Sequence, residues 1–405
     1  MRTGPLCLIL VLLILGIIIP LPLPANAQAE VEVLIEQPDY TFGQQIRFQA
    51  TIQSVEPIVK VLVLTQTGDP AETHVISASV DSQGKVLAVF DLRQQPLRAF
   101  SNVDYWYQVT FQNGETATSP GYSFYLEDNR FRWDSLASPP FVAHWYAGDI
   151  TFAQELLNIA QAGLKRAHEF LPQVLAPETV NLYIYDDSQQ LQTALAHSTQ
   201  NWVAGHADPN LSVILVSLPP GPEKQLEMER QIPHELMHVL LYYTNADAYA
   251  YLPAWYNEGL ASMAELYPNP DYQVLLQSAF ETGGLLPITS LCQSFPTDAS
   301  NAMLAYAEAA SFTRFISDRF GMTRLEGLMA YYAQGVDCQR GVEAVLGNDL
   351  EHLDGMWRQD TFAENLWRSA LENLLPWLIL LMIILVVPLA LAISMLRRKP
   401  ARMEL

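Results

Sequence analysis

Short runs in which apolar and polar residues alternate fill the chain from Val31 to about Asp128. Such alternation predicts strands with one buried face. Seven runs show it: VEVLIEQ, QIRFQATIQS, VKVLVLTQ, THVISASV, KVLAVFDL, DYWYQVTFQ and GYSFYLED. Turn sequences such as TGDP, DSQG and QNGE separate the runs. The pattern predicts an all-β sandwich of the immunoglobulin or fibronectin type over residues 28–129.

Helical spacing replaces this alternation beyond residues 130–140, a stretch with the sequence RFRWDSLASPP that is typical of a linker. The segment DITFAQELLNIAQAGLKRAHEFL, which starts at Asp149, has apolar residues on one face of a helix. A strand pattern in TVNLYIYDD and a hairpin pattern in WVAGHADPNLSVILVSL follow, and helical patterns then extend to about Phe362. Strands followed by helices predict an α+β domain over residues 141–362.

An apolar run, Leu6–Ile19, lies near the start of the chain, after Arg2 and before Pro20, Pro22 and Pro24. Three prolines break this run, and Ala25-Asn26-Ala27 then fits the small-residue pattern of a signal peptidase site. We therefore expect residues 1–27 to be a secretory signal that is cleaved after Ala27. An uncleaved membrane anchor is the alternative.

A second apolar run, Leu374–Leu396, has 23 residues and no charge. A helix needs roughly 20 apolar residues to cross a hydrocarbon core, so this run predicts a transmembrane helix. Arg397, Arg398 and Lys399 follow it, and such basic residues remain on the cytoplasmic side. We expect a single-pass protein of the cell membrane, with residues 397–405 in the cytoplasm and both folded domains outside it.

Charge and cysteine content restrict the partners and the compartment. The formal net charge of −21 argues against nucleic acid or an anionic membrane surface as a partner. Cys292 and Cys338 remain after the signal is removed. In an oxidising compartment they can form one disulfide, and two buried free thiols are the alternative.

The sequence PHELMH contains the pattern H-E-x-x-H at His234 and His238. On a helix, residues four apart lie on one face, so the two imidazoles can converge on one metal ion. Glu235 lies beside them, close enough to act on a water molecule without being a ligand. We expect Pro233 in the first turn of this helix, where its missing N–H is tolerated. A buried helix with two hydrogen-bonded histidines is the alternative.

A third ligand is available in LPAWYNEGLASMAEL, a second helical pattern that opens near Pro253 and carries Glu258. This carboxylate lies among large apolar residues, where burial of a bare charge would be costly and coordination would relieve that cost. No cysteine lies near the motif. Two histidines and one carboxylate leave a coordination position open, which is typical of catalytic rather than structural zinc sites.

The segments PHELMHVLL and LPAWYNEGLASM resemble those of the gluzincin metallopeptidases, and especially the peptidase MA-like family. FVAHWYAGD, VNLYIYDD, NWVAGHADPNLSVILV and LAYAEAASFTRFISDRFG are also similar to the family, so the resemblance covers about residues 141–345. It implies a zincin-like fold and a peptide or protein substrate. It further implies one Zn²⁺ per chain held by His234, His238 and Glu258, with Glu235 as the general base.

Two further roles have weaker candidates. Tyr306 is the candidate for stabilising the oxyanion, because we expect it to open a helix in a segment where gluzincins often supply such a group; a core tyrosine is the alternative. His206 is a weaker candidate for the same role. Zincins bind the substrate backbone along the strand before the HExxH helix, so we expect Ala204, Gly205, His206 and Ala207 to line the cleft.

The sequence thus predicts a membrane-anchored extracytoplasmic zinc metallopeptidase. The alternative is a catalytically silent surface binding or adhesion protein that uses the β-sandwich, although the intact Glu235 argues against it. A protease that cuts within the bilayer is excluded, because the HExxH pattern lies about 135 residues from the predicted span. Neither the substrate nor a partner of the β-sandwich is identified by the sequence.

Overall fold

A computed structural model describes residues 32–67, 72–196 and 205–396, without the side chains of 363–373, 387, 389–392 and 394–396. The predicted signal segment (residues 1–27), the predicted tail (397–405) and Ala204 lie outside these residues. The described chain divides into two compact units. Unit 1 comprises residues 32–95 and Ser101–Leu126, and unit 2 comprises Pro96–Phe100 and residues 127–396.

Unit 1 is built from antiparallel strands in the order β1-β3-β6-β5-β4-β7-β8, with β2 beside β3 and β9 beside β7. This confirms the predicted β-rich N-terminal region. The alternation missed only β2 and β8, which have three residues each and are too short to show a period. The strands are β1 (Glu32–Ile35), β2 (Asp39–Thr41), β3 (Gln45–Gln53), β4 (Ile58–Thr67), β5 (Glu72–Val80), β6 (Lys85–Asp91), β7 (Ser101–Phe111), β8 (Thr116–Thr118) and β9 (Tyr122–Leu126).

Strand β5 connects the two halves of this arrangement. It pairs with β4 as far as Ala78 and with β6 from Ser79 onward. Alternate residues of β3 and β7, among them Phe48 and Tyr107, are fully buried in the core of the unit. The closer assignment to the immunoglobulin or fibronectin type stays a prediction.

Unit 2 contains a five-stranded sheet in the order β10-β11-β12-β14-β13. The three central strands are parallel, and the two edge strands are antiparallel to their neighbours. The predicted hairpin forms, with Gly205 opposite Val216. The strands are β10 (Asp134–Ser138), β11 (Phe141–Trp145), β12 (Val180–Tyr185), β13 (Gly205–Asp208) and β14 (Val213–Ser217).

The structure places a strand within residues 130–140, where the sequence predicted a linker. Strand β10 pairs with β11 along its whole length, from Asp134 opposite Trp145 to Ser138 opposite Phe141. Its residues are mostly polar or small, because a strand at the edge of a sheet need not bury both faces. The sequence therefore lacked the apolar alternation by which the other strands were found.

Ten helices of the described residues surround this sheet or extend from it, and they confirm the predicted α+β domain. Buried residues of α3, α5 and α7 belong to one continuous core with the sheet. The helices are α1 (Ile150–Phe170), α2 (Ser188–Ala194), α3 (Lys224–Thr244), α4 (Ala246–Tyr249), α5 (Ala254–Ala264), α6 (Asp271–Thr282), α7 (Ala299–Phe320), α8 (Met322–Tyr332), α9 (Cys338–Leu346) and α10 (Leu350–Leu396).

Helix α3 begins earlier than the sequence predicted. It starts at Lys224, so Pro233 lies in its interior and the expectation of a first-turn proline is wrong. The proline ring packs against α1 at Gly163, where an added Cβ would lie 2.9 Å from the Pro233 Cβ. The absence of a side chain at Gly163 therefore allows α1 and α3 to approach closely at this point.

The predicted span Leu374–Leu396 forms the C-terminal part of α10. Several of its side chains, from residue 387 onward, lie outside the description. Within the described part of the chain, no helix combines the length and the apolar character needed to cross a membrane.

A disulfide joins Cys292 to Cys338, with 5.9 Å between their Cα atoms. The sequence left this pairing open. The bond ties the 3₁₀ turn Ile288–Cys292 to the start of α9. The indole Nε1 of Trp255 donates a hydrogen bond to the Cys338 sulfur at 3.4 Å, so the disulfide lies against the helix that carries Glu258.

Replacing Cys292 and Cys338 together by serine should lower the free energy of unfolding. The bond closes a loop with a sequence separation of 46, and the chain-entropy model assigns such a loop about 4 kcal/mol. Urea unfolding of both proteins in oxidising buffer measures the difference. The wild type in reducing buffer is the control and should behave like the double variant. A difference below about 1 kcal/mol would contradict the expectation.

Glu308 is a buried carboxyl group in α7. One of its oxygens accepts the Leu286 backbone N–H at 2.8 Å, and the other has no hydrogen-bond partner among the described residues. Burial raises the pKa of Glu308 to about 8, although the Leu286 hydrogen bond and Arg358 partly oppose the shift. The group is therefore neutral at pH 7 in the folded protein.

The free energy of unfolding should fall as pH rises from about 4.5 to about 8. In this range the folded protein retains the Glu308 proton that the unfolded chain releases, so rising pH favours unfolding. Glu308→Gln, which is neutral at every pH, should remove this part of the pH dependence. Urea unfolding at pH 5 and pH 8 tests it. An unchanged slope in the variant would show that Glu308 does not carry the effect.

Candidate metal centre

Three predicted ligands converge in unit 2. His234 and His238 lie one turn apart on α3, and Glu258 lies on the neighbouring helix α5. The Glu258 Oε2 atom is 3.3 Å from His234 Nε2 and 3.5 Å from His238 Nε2. Candidate ligand atoms of all three residues lie within 4.8 Å of one another. The predicted residues thus meet at one point.

This geometry fits a zinc ion. Tetrahedral zinc with bonds of roughly 2.0–2.1 Å places neighbouring ligand atoms about 3.4 Å apart, which matches the two measured distances. Among the described residues, the group consists of these three side chains and no fourth histidine, cysteine or carboxylate. A set of two histidines and one carboxylate leaves one position open, as in catalytic zinc sites.

The Nδ1 atom of each histidine, on the side away from the cluster, contacts a second polar side chain. His234 Nδ1 lies 3.0 Å from Glu265 Oε1, and His238 Nδ1 lies 3.2 Å from Asn257 Oδ1. The Asn257 amide in turn donates to the Tyr249 hydroxyl at 3.2 Å. A proton on each Nδ1 leaves the Nε2 lone pairs directed at the cluster, which is the tautomer that metal binding requires.

Sequence reasoning missed Glu265 and Asn257. Asn257 adjoins Glu258, so its position could have suggested a supporting role. Glu265 lies 31 residues after His234, and no local pattern connects the two.

The proline before His234 helps to place Glu265. Pro233 has no N–H, so the carbonyl of Glu229 lacks the partner that an α-helix normally provides. The backbone N–H of Leu266 donates to this carbonyl at 2.9 Å. Leu266 directly follows Glu265, so this bond fixes the end of α5 against α3 and holds the Glu265 carboxylate beside His234.

Gly259, next to Glu258, permits the close approach of α5 and α7. An added Cβ would overlap the Thr313 side chain and would lie 2.8 Å from the Ala309 carbonyl oxygen. The glycine is therefore required by helix packing. It brings α7, with Tyr306, close to the ligand cluster.

Glu235 lies between the cluster and strand β13. An added Cβ on Gly205 would lie 2.8 Å from Glu235 Oε1, and the Ala207 backbone hydrogen-bonds to the carboxylate. Burial raises the pKa of Glu235, although the neighbouring histidine charges oppose the shift. The raised pKa brings this carboxyl group closer to the range in which it can both accept and release a proton. His206 lies on the same strand.

Tyr306 also lies near the cluster, with its ring centroid 6.5 Å from that of His234. It does not open its helix as predicted, because α7 begins at Ala299. Burial and the charges of Glu258 and Glu235 raise the pKa of Tyr306, so the phenol remains protonated and can donate a hydrogen bond.

The buried charges of the cluster influence one another. Burial opposes a positive charge on His234, but hydrogen bonds to Glu258 and Glu265 outweigh it and raise the pKa of His234. Burial likewise opposes ionisation of Glu258, but the charge of His238 and hydrogen bonds from both histidines hold its pKa well below the usual range. Glu258 is therefore ionised, and a cation would bind in place of the two Nε2 protons.

Replacing Glu265 by glutamine should weaken zinc binding about 10- to 100-fold, because groups that orient a ligating histidine typically contribute that much. Competition with a chromophoric chelator measures the affinity. Glu281→Gln is the matched control: this carboxylate lies on α6 and bonds only to Gln277 among the described residues, so its loss should leave zinc binding unchanged. Equal affinities for the Glu265 variant and the wild type would contradict the assignment.

Comparison with known proteins agrees with this arrangement. The family model described as the peptidase MA superfamily matches residues 159–363, a range that contains the ligands, Glu235 and Tyr306. No match is found among curated proteins. Among solved structures, the chain is similar to an aminopeptidase N family protein from Idiomarina loihiensis, with 9% identity and a TM-score of 0.34 over 82% of this chain and 70% of that one.

A TM-score this low supports no inference, so the conclusion depends on the family match. That match covers half of the chain and includes both helices that carry the candidate ligands. The family resemblance that the sequence motifs indicated is thereby confirmed: the chain belongs to the peptidase MA superfamily.

Proposed function

We propose that the protein is a zinc-dependent metallopeptidase that hydrolyses bonds in peptide or protein substrates. The observation that carries the proposal is the convergence of His234, His238 and Glu258 beside Glu235. Three ligands with ordinary zinc spacing leave one coordination position open. Glu235, a second carboxylate that is not one of the three ligands, interacts electrostatically with all of them.

Each residue at the site has a separate role in the proposed reaction. A zinc ion at this site would lower the pKa of water and polarise a carbonyl group. Glu235 accepts the proton of the attacking water and passes it to the departing amine. Tyr306 donates a hydrogen bond to the oxygen on which negative charge develops.

Strand β13 supports substrate binding. It is the edge strand of its sheet, and its Gly205–Ala207 stretch lies beside Glu235. An extended peptide can add to such an edge through backbone hydrogen bonds. The missing side chain of Gly205 leaves room for the Glu235 carboxylate, which lies 2.8 Å from where its Cβ would be, so a substrate on this strand would lie next to the base.

The proposal includes the location of the enzyme. We infer that residues 1–27 export it and that Leu374–Leu396 anchors it in the cell membrane, with the peptidase domain outside and the C-terminus in the cytoplasm. Support comes from the uncharged run and the basic residues after it. A disulfide between Cys292 and Cys338 is also typical of proteins in oxidising compartments.

Zinc content and cleavage of casein should separate the roles of the ligands and the base. Wild type and Glu235→Gln should each hold one zinc per chain, because Glu235 is not a ligand. Cleavage should fall at least 100-fold in the variant, which lacks the general base. Glu223→Gln is the matched control, because this exposed carboxylate adjoins the same helix and should keep both zinc and activity.

Three other outcomes of this experiment would contradict parts of the proposal. Cleavage retained in Glu235→Gln would refute the assigned base. Zinc in both proteins without cleavage by the wild type would favour the catalytically silent binding protein. No zinc in either would mean that the histidines are ordinary buried residues.

A further inference from the structure

A cavity of about 610 Å³ lies in unit 2 behind the metal centre. Residues from the end of α5, from α6 and α7, and from the first part of α10 line it. The lining includes Glu265, which supports His234, but none of the three metal ligands and not Glu235. The cavity is therefore separate from the reacting atoms, although it shares one side chain with their support.

The inner wall of the cavity contains a buried hydroxyl group that forms no hydrogen bond with the described residues. Ser262 is 4% exposed, and its Oγ has no hydrogen-bond partner among the described residues. Glu265 is 6% exposed and uses Oε1 for His234. A buried hydroxyl without a partner is destabilising and rare. A ligand group that donates hydrogen bonds would satisfy Ser262 and could reach the second oxygen of Glu265.

The rest of the cavity is apolar in its depth and charged at its mouth. Leu276, Ala310 and Phe315 are buried and provide an apolar wall. Arg314 and Arg319 are exposed at the mouth, and neither forms an ion pair with a described residue. The mouth also carries two aspartates, Asp318 and Asp360. The mixed charges disfavour a purely anionic ligand.

We propose that this cavity binds a short peptide with free termini, with its ammonium group at Ser262 and Glu265 and its carboxylate at Arg314 and Arg319. An ammonium group supplies only donors, which Ser262 and Glu265 can accept. Arginine binds a carboxylate through two parallel hydrogen bonds. The volume lies within the range of small-ligand sites, roughly 300–1,000 Å³, and the apolar wall accommodates a side chain between the two ends.

The binding site does not require the proposed activity. It rests on that activity only for the source of the ligand, since a peptidase releases short peptides. A peptide bound here would contact the carboxylate that orients His234, so products could influence the metal centre without entering it.

Calorimetry with the tripeptide Ala-Phe-Ala tests the proposal. The full chain is used as the Glu235→Gln variant, so that the peptide is not consumed. We expect binding of the free tripeptide, and affinities at least tenfold lower for its N-acetylated and C-amidated forms. Absence of binding would overturn the proposal, as would equal affinities for free and blocked peptides.

Substitutions in the cavity distinguish it from the metal centre. Arg314→Gln combined with Arg319→Gln should lower the affinity about tenfold, whereas Arg340→Gln, at an exposed arginine outside the cavity, should not change it. Ser262→Ala should weaken binding without lowering thermal stability, because it removes a hydroxyl that has no partner. A peptide held at the metal centre would be insensitive to all of these changes, and that result would refute the cavity as its site. Loss of zinc or cleavage in the earlier test would leave this binding intact.

Discussion

The position of the Glu258 carboxylate, which is 20% exposed, between two histidines is the constraint on which the candidate metal centre depends. A carboxylate in a protein interior is costly unless a positive charge or a metal ion compensates for it. His234 and His238 provide that compensation from one face of α3, at 3.3 and 3.5 Å. The two helices must therefore remain in one relative position, because a small displacement would leave a buried charge without a partner.

Several backbone features maintain that position. Gly163 allows α1 to approach the proline in α3, and that proline frees a carbonyl for the backbone N–H of Leu266 at the end of α5. Gly259 allows α7 to pack directly on α5, and the disulfide at Cys338 lies against Trp255 of the same helix. The candidate ligands are thus positioned by helix packing and by main-chain hydrogen bonds.

The same packing brings the edge of the sheet next to Glu235 and the candidate ligands. Among the described residues the sheet ends at β13, and Gly205 of this strand lies beside Glu235, the general base proposed here. Helices α3 and α5 carry the three candidate ligands, and α7 carries Tyr306. This arrangement follows from the meeting of an edge strand with a helical core.

The sequence by itself determined the features that follow from local periodicity. Helical spacing places His234 and His238 on one face, and the surrounding apolar residues make a lone Glu258 too costly to bury. Alternation of apolar and polar residues identified the longer strands of the β-rich unit, because successive side chains of a strand point to opposite faces. The edge strand β10 was missed because its residues are mostly polar or small. The start of α3 was misplaced because proline favours a first turn, whereas here the Leu266 N–H satisfies the carbonyl that an interior proline leaves without a partner.

Only the tertiary structure decided which distant groups meet. Glu265 reaches His234 across 31 residues of sequence, through a backbone bond that no periodicity encodes. The pairing of Cys292 with Cys338 and the cavity behind Glu265 likewise depend on how separate helices pack. The spacing of apolar residues determines which face of each helix or strand is buried. Which other helix or strand packs on that face depends on the folding of the whole chain.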